Sequence, residues 1–405
     1  MSNVLTAGLM YRPTSIKRHI NSVYVIEQYN HRVSKWDFVD DTFVFTLAAG
    51  QVTALSLDAP GFNYVAPTLV FSAPDLDIAN PVTATGTISQ MNGNLISPVL
   101  TDGGNGYSVA PTVTVVDSAG SAGAVSVSAF TVPWGNNGNG TTGLPGLATG
   151  ATDDFLQFPT GSAIYGGQDR LFVVDTLNHR VRIIDFTDGS FIGSIGAPGT
   201  GDDEFNRPAH ADLSTADGIL AIADSRNHRV STYDAESPYD FMAIANPPSP
   251  DTFHTPYGVK HNGVADRFYY SDLIRGKLYA YNDANGTVYE NLAIGTPGTN
   301  PSDPNQLFYP GSASGTTETS GSSFLTDTRN NKIKEYDAAG DIVDKVVGAG
   351  TTEGKLYYPQ DTIGFTKENT DYILVCNTLN NRIEVFNRDN NSFQSTFGSP
   401  TPVLP

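Results

Sequence analysis

A motif of a β-branched run, a polar turn and a second, alternating run returns six times along the 405 residues, and it confines the chain to a fold built from repeats. The first copy reads Tyr24-Val25-Ile26-Glu27-Gln28-Tyr29-Asn30-His31-Arg32-Val33, and the second reads Phe172-Val173-Val174-Asp175-Thr176-Leu177-Asn178-His179-Arg180-Val181. The third holds Asn227-His228-Arg229-Val230, while the fourth drifts to Arg275-Gly276-Lys277-Leu278. The fifth and sixth carry Asn330-Asn331-Lys332-Ile333 and Asn380-Asn381-Arg382-Ile383. From the second copy onward the anchors fall about 50 residues apart, the length of a four-stranded propeller blade. Most copies follow a glycine-rich stretch, an aromatic or leucine, and a proline, as in Gly199-Thr200-Gly201-Asp202-Asp203-Glu204-Phe205-Asn206-Arg207-Pro208. The same step ends at Pro159, Pro256, Pro310 and Pro359, and each is read as the crossing from one blade's outer strand to the next blade's inner strand.

Together, the Asn-His-Arg-Val turn and the Phe-x-x-Pro lead-in resemble NHL repeats over roughly residues 11–50 and 150–400. The resemblance implies an all-β, six-bladed β-propeller, NHL-like, with a small β-rich domain inserted. Equivalent positions around such a ring lie far apart unless they are axial. Asn30, His31, Arg32, Asn178, His179, Arg180, Asn227, His228, Arg229, Asn330, Asn331, Asn380, Asn381 and Arg382 are therefore read as structural turn and blade-packing residues. The arginines are expected to pair with turn carboxylates such as Asp175 and Asp224. Asp188-Gly189 and Asn285-Gly286 supply positive φ at hairpins. No Asp-rich turn has the ligand spacing of a calcium loop, so these are read as plain turns.

The spacing from Asn30 to Asn178 is about three blade lengths, which leaves about 95 residues in excess. We divide the chain into 1–50 (first blade and a candidate ring-closing strand), 51–148 (insertion) and 149–405 (remaining blades and a proline-rich tail). The insertion is almost free of Lys and Arg and contains a duplication: Gly61-Phe62-Asn63-Tyr64-Val65-Ala66-Pro67-Thr68-Leu69-Val70 against Gly104-Asn105-Gly106-Tyr107-Ser108-Val109-Ala110-Pro111-Thr112-Val113. Two such halves can bury one small shared core. These Gly-Tyr, Pro-Thr modules resemble segments of tailed-phage structural proteins, particularly tail and fibre proteins.

Charge narrows the choice of partner. With 23 basic against 42 acidic residues the net charge is -19, which opposes binding to nucleic acid and anionic lipid. One cysteine, Cys376, excludes an internal disulfide framework, and no Cys/His cluster has zinc-site spacing. No run approaches the roughly 18 apolar residues of a spanning helix. Residues 1–10 lack a basic n-region, so no standard secretory signal is expected.

Propeller lyases related to NHL proteins hold a metal on the axis through convergent histidines. Counting two residues past each lead-in proline gives Ser15, Gly161, His210, Gly258, Ser312 and Asp361 as the axial ring. One histidine and one aspartate among serines and glycines make a poor metal site. His210 and Asp361 are the best axial pair, read as a hydrogen-bonded structural pair or as exposed rim residues. No nucleophile elbow, phosphate loop or His-Glu-x-x-His is present. Trp36, Trp134 and the tyrosines could stack on sugar, but the blade core also needs aromatics. The expectation is a non-enzymatic structural or adhesion protein of a bacteriophage virion, with no cofactor and no metal. Its partners would be other virion proteins or copies of itself through 51–148, and a host surface glycan or protein, without membrane insertion. The alternatives are a lyase or lactonase-like propeller with an axial metal, and a bacterial protein- or glycan-binding scaffold.

Overall fold

The computed structural model describes residues 10–398 apart from 30–31, 40–41, 46–50, 75–81, 105–106, 108–109, 132–155, 188–190, 246–251, 264–266, 283–286, 289–294, 301–302, 304, 316–322, 337–341, 346–347 and 368–369. The two Gly-containing hairpins, Asn30, His31, Trp134 and the proline-rich tail thus lie outside the described residues. Contacts divide the chain into two compact units, one holding the described residues of 34–155 and the other those of 9–33, 156–187 and 191–398.

The described residues form six four-stranded antiparallel meanders, each contiguous in sequence. Their first strands are Pro13–His19, Gly161–Tyr165, Ala211–Ser214, Pro256–Asn262, Pro310–Gly315 and Pro359–Lys367. Each of these touches the next, and the sixth touches the first, so the six close into a ring of inner strands. The second strand of each blade is sandwiched between neighbouring sheets, which is why it reads as an unbroken apolar run rather than an alternating one. Leu171, Phe172, Val173 and Val174 are all fully buried. Core clusters sit at the junctions: Phe172, Val174 and Ile183 of the second blade pack with Leu213, Ile222 and Tyr233 of the third. Phe324 and Ile333 of the fifth pack with Ile373, Val375 and Phe386 of the sixth. Each such side chain contributes about 1.5–3 kcal/mol on burial. Trp36 is buried, with its Nε1 donating to Ser34 Oγ, and so belongs to the core.

Four repeat turns are single 3₁₀ turns, Thr176–Asn178, Ser225–Asn227, Thr328–Asn330 and Thr378–Asn380, each followed by a left-handed residue. The φ values are 55° at His179, 57° at His228, 55° at Asn331 and 55° at Asn381, and the drifted fourth copy has Gly276 at 57°. The one histidine-to-glycine change in the motif therefore falls where glycine is the least strained residue. The sixth sheet takes its outer strand, Phe393–Gly398, from its own repeat. The candidate ring-closing strand falls on residues 1–10, of which only Met10 is described, packed beside Gly398.

In the insertion the two halves exchange strands. Gln51–Phe62 pairs with Ser121–Thr131, Thr85–Met91 with Asn94–Asp102, and Thr68–Phe71 with Val113–Val116. The first strand of each half thus pairs with the last strand of the other. Each duplicated tyrosine centres its own cluster, Tyr64 with Ile88, Leu95 and Val125, and Tyr107 with Val52, Phe71 and Ala84. Leu55, Leu69 and Val113 flank both, so the expected single core is two clusters with shared walls. Both hydroxyls are bonded: Gly123 N donates to Tyr64 Oη at 2.9 Å and Ala84 N to Tyr107 Oη at 2.8 Å.

Candidate functional site

The axis of the propeller carries a buried polar cluster. His210 and Asp361, 151 positions apart, meet there, with Nε2 of the histidine 3.3 Å from Oδ2 of the aspartate. Ser15 Oγ donates to the same carboxylate oxygen at 3.0 Å and lies 2.9 Å from Ser162 Oγ and 3.3 Å from His210 Nε2. Backbone N–H groups complete the shell, Ile16 donating to Oδ2 and Thr362 to Oδ1, each at 2.9 Å. Both side chains of the pair are 1% exposed, so the exposed-rim alternative is wrong, and the two are hydrogen-bonded as the other reading expects. Burial raises the Asp361 pKa, but the charges of His210 and Lys17 and the Ile16 N–H outweigh it and hold the carboxyl below its usual value.

Three further axial residues were missed by the counting that found this pair. Asp212 lies between two lysines, 3.1 Å from Lys17 Nζ and 2.9 Å from Lys260 Nζ, and accepts the His261 N–H at 2.8 Å. Burial alone would raise its pKa, yet Lys17 and Lys260 drive it far below the usual carboxylate range. Burial lowers the Lys260 pKa, against the pull of Asp212. Each of these residues stands four places after a lead-in proline (Pro13, Pro208 and Pro256), two places beyond the predicted ring on an alternating strand. The signal was present in the same arithmetic.

The glycines of the ring have a packing reason. A Cβ on Gly161 would lie 2.4 Å from His210 Cα, and one on Gly258 would lie 2.5 Å from Gly311 O. Neighbouring inner strands therefore approach too closely for any side chain at these positions.

The repeat-turn residues do not converge; each serves its own junction. Asp175 at the end of its second strand accepts from Gln157 N, from Asn178 Nδ2 at 2.8 Å and from Arg180 Nε at 2.9 Å. Asp224 repeats this with Asn206 N, Asn227 and Arg229, and Asp327 with Phe308 N, Asn330 and Lys334. Arg32 pairs with Glu27 and Arg382 with Glu384. In the sixth blade Asn377 stands at the aspartate position and Glu384 supplies the carboxylate. The left-handed residues reach across the junction: Arg207 N donates to His179 Nδ1 at 3.2 Å, Tyr358 N to Asn331 Oδ1 at 2.7 Å, and Arg12 N to Asn381 Oδ1 at 3.0 Å. His228 Nδ1 similarly meets the carbonyl of His254.

Among the described residues no three His, Cys, Asp or Glu side chains come together as a metal-binding group. No described helix is long and apolar enough to cross a membrane. A family model described as a 6-bladed beta-propeller matches residues 151–257. Among solved structures the chain is similar to virginiamycin B lyase from Staphylococcus aureus, in its selenomethionine form, at 13% identity over 92% of this chain and 95% of that one, with a TM-score of 0.47. It is also similar to a streptogramin B lyase at 12% identity, 94% of each chain and TM-score 0.44. A chain of a nidogen/laminin complex shares 14% identity over 60% of this chain and 80% of its own, with TM-score 0.44. No curated protein matches the chain. The fold is an all-β, six-bladed propeller.

Proposed function

We propose that this chain is a non-catalytic structural and adhesive component of a bacteriophage particle. The propeller serves as a rigid hub, and the 51–148 insertion contacts neighbouring virion proteins or further copies of the chain. One observation carries the non-catalytic part. The carboxylates of the axial cluster, where a propeller of this type would place its chemistry, are engaged by their neighbours, Asp361 by Ser15, His210 and Ile16 N and Asp212 by two lysines, while Nδ1 of His210 has no hydrogen-bond partner. A preorganised surface needs no bond-making residue. The narrower NHL reading is supported by the left-handed His179 and His228 and by the Asp–Arg pairs beneath them. The phage reading is supported by the likeness of the duplicated Gly-Tyr, Pro-Thr modules to tail and fibre segments.

Peptide mass spectrometry of purified phage particles from the source environment, with electron microscopy of the same particles, tests the location. Stoichiometric peptides together with ring density on tail or capsid are expected; absence from particles would overturn the virion reading. A stoichiometric metal in the purified protein would overturn the non-catalytic one.

A further inference from the structure

The junction of the fourth, fifth and sixth blades holds a recess of about 90 Å³, walled by Tyr257, Leu273, Tyr309, Tyr358 and Gln360 and floored by Gly311 and Thr328. Thr328 is 4% exposed and its Oγ1 has no hydrogen-bond partner. Its counterparts in other blades are all engaged: Thr176 Oγ1 with Thr160 Oγ1, Ser225 Oγ with Pro256 O, and Thr378 Oγ1 with Pro13 O. A buried hydroxyl left unpaired costs about 1–3 kcal/mol, so the exception calls for a ligand or a reason. A Cβ on Gly311 would stand 2.4 Å from Thr326 Oγ1, 2.6 Å from Gln360 O and 2.8 Å from this hydroxyl, so glycine is what fits beside it.

The walls are held in place. Tyr257 Oη donates to Gln360 Oε1 at 2.9 Å, Arg329 Nε donates to Tyr358 Oη at 2.6 Å, and the Arg329 guanidinium lies 4.1 Å from the Tyr309 ring centroid. Tyr309 and Tyr358 precede prolines in the left-handed region, at φ 53° and 59°, as Arg12, Phe158 and Arg207 do before theirs, so the repeat itself fixes where these two rings stand. None of the lining side chains carries a formal charge. Uncharged aromatic walls with one buried hydroxyl and one amide fit a neutral ring that has an apolar face and hydroxyl edges. At about 10–15 Å³ per water, the volume admits part of one such ring and not an oligosaccharide.

We infer that this recess is a binding site for a single neutral pyranose, with Thr328 Oγ1 and Gln360 bonding its hydroxyls. The inference rests on the adhesive reading only for the source of the sugar, a surface glycan.

Saturation-transfer NMR on the full chain, with methyl glycosides of glucose, galactose, mannose and N-acetylglucosamine at about 10 mM, tests it, since a one-ring site is expected to bind in the millimolar range. At least one glycoside should receive saturation, and Thr328→Val should weaken it about tenfold without lowering the melting temperature. Thr378→Val, at the same position of the sixth blade, should leave binding intact. No transfer from any glycoside, or transfer undiminished by Thr328→Val, would overturn the site. Either result is independent of whether the protein is found in particles, so the two readings fail separately.

Discussion

Replacing Asp212 by Asn probes the axial charge cluster with almost no change of volume. The wild-type carboxylate neutralises Lys17 and Lys260 at 3.1 and 2.9 Å, and the two lysine side chains are only 4% and 19% exposed. With the charge removed, two buried cations repel across the axis, and leaving buried charge uncompensated costs about 3–5 kcal/mol. At about 2–4 °C per kcal/mol for a large domain, the melting temperature should fall by roughly 6–20 °C. The pH dependence gives the mechanism its own signature. A carboxyl whose folded pKa is depressed contributes stability above its unfolded pKa of about 3.8, and that stability is lost as pH falls toward the folded value. The deficit of the variant, measured by urea unfolding, should thus be flat from about pH 7 to 5 and shrink below about pH 4. Adding Lys17→Met and Lys260→Met should recover most of the loss, because an apolar replacement of the whole cluster is often neutral. A loss under about 1 kcal/mol, or one that does not shrink in acid, would refute the reasoning.

Other positions test other links. Asn381→Ala removes the acceptor for Arg12 N and puts alanine at φ 55°, for an expected loss of roughly 2–3 kcal/mol; Asn381→Gly, which keeps the backbone relaxed, should lose about half as much by chemical denaturation. Gly161→Ala forces a Cβ to 2.4 Å from His210 Cα and should cost at least about 1–3 kcal/mol, whereas Gly193→Ala, with nothing within 4 Å, should stay within about 0.5 kcal/mol. In the insertion, Asp117 accepts N–H bonds from Ala119, Gly120, Ala66 and Val65, which lower its pKa to about 2. Its contribution is present above the unfolded value near 3.8 and lost as pH falls through about 2. Asp117→Ala should accelerate hydrogen exchange of those four amides at neutral pH, and unchanged rates would remove Asp117 as the clasp of that turn.

The repeat was legible because the same physical demand recurs at each anchor. A left-handed residue selects His, Asn or Gly, and the turn beneath it needs a buried acceptor for orphan N–H groups. Counting from the lead-in prolines located His210 and Asp361 on the axis because an inner strand repeats every two residues. Ser162 escaped that count. It stands one place past Gly161, paired with Val173 as Ile16 is with Val25. The duplication in the insertion was visible as well, but not the exchange of strands between its halves. Composition is blind to which of two similar strands a partner chooses; in the folded insertion Leu55, Leu69 and Val113 pack against both clusters.

The recess follows from the one repeat that departs from the others. In the second, third, fifth and sixth copies the turn places a hydroxyl and a left-handed His or Asn at the junction; in the third and sixth that hydroxyl binds across it, and in the second Thr176 bonds Thr160, which donates across to Ala209 O. The fourth copy has Leu273 and Gly276 at these places, so neither side chain can make the polar clamp to the fifth blade. Ser271 takes over part of the task from two residues earlier, donating to Gly311 O at 2.6 Å and accepting Gly258 N at 2.8 Å. In the fifth blade Thr326, two residues before Thr328, likewise donates across the junction to Gln360 O. With both junctions secured from deeper positions, the outer ones are free of structural duty. There Leu273, Gly311 and Thr328 line the recess between tyrosines. A drift that looks like decay in the sequence is, in the folded chain, a transfer of the clamp inward by two residues that leaves an opening on the turn side.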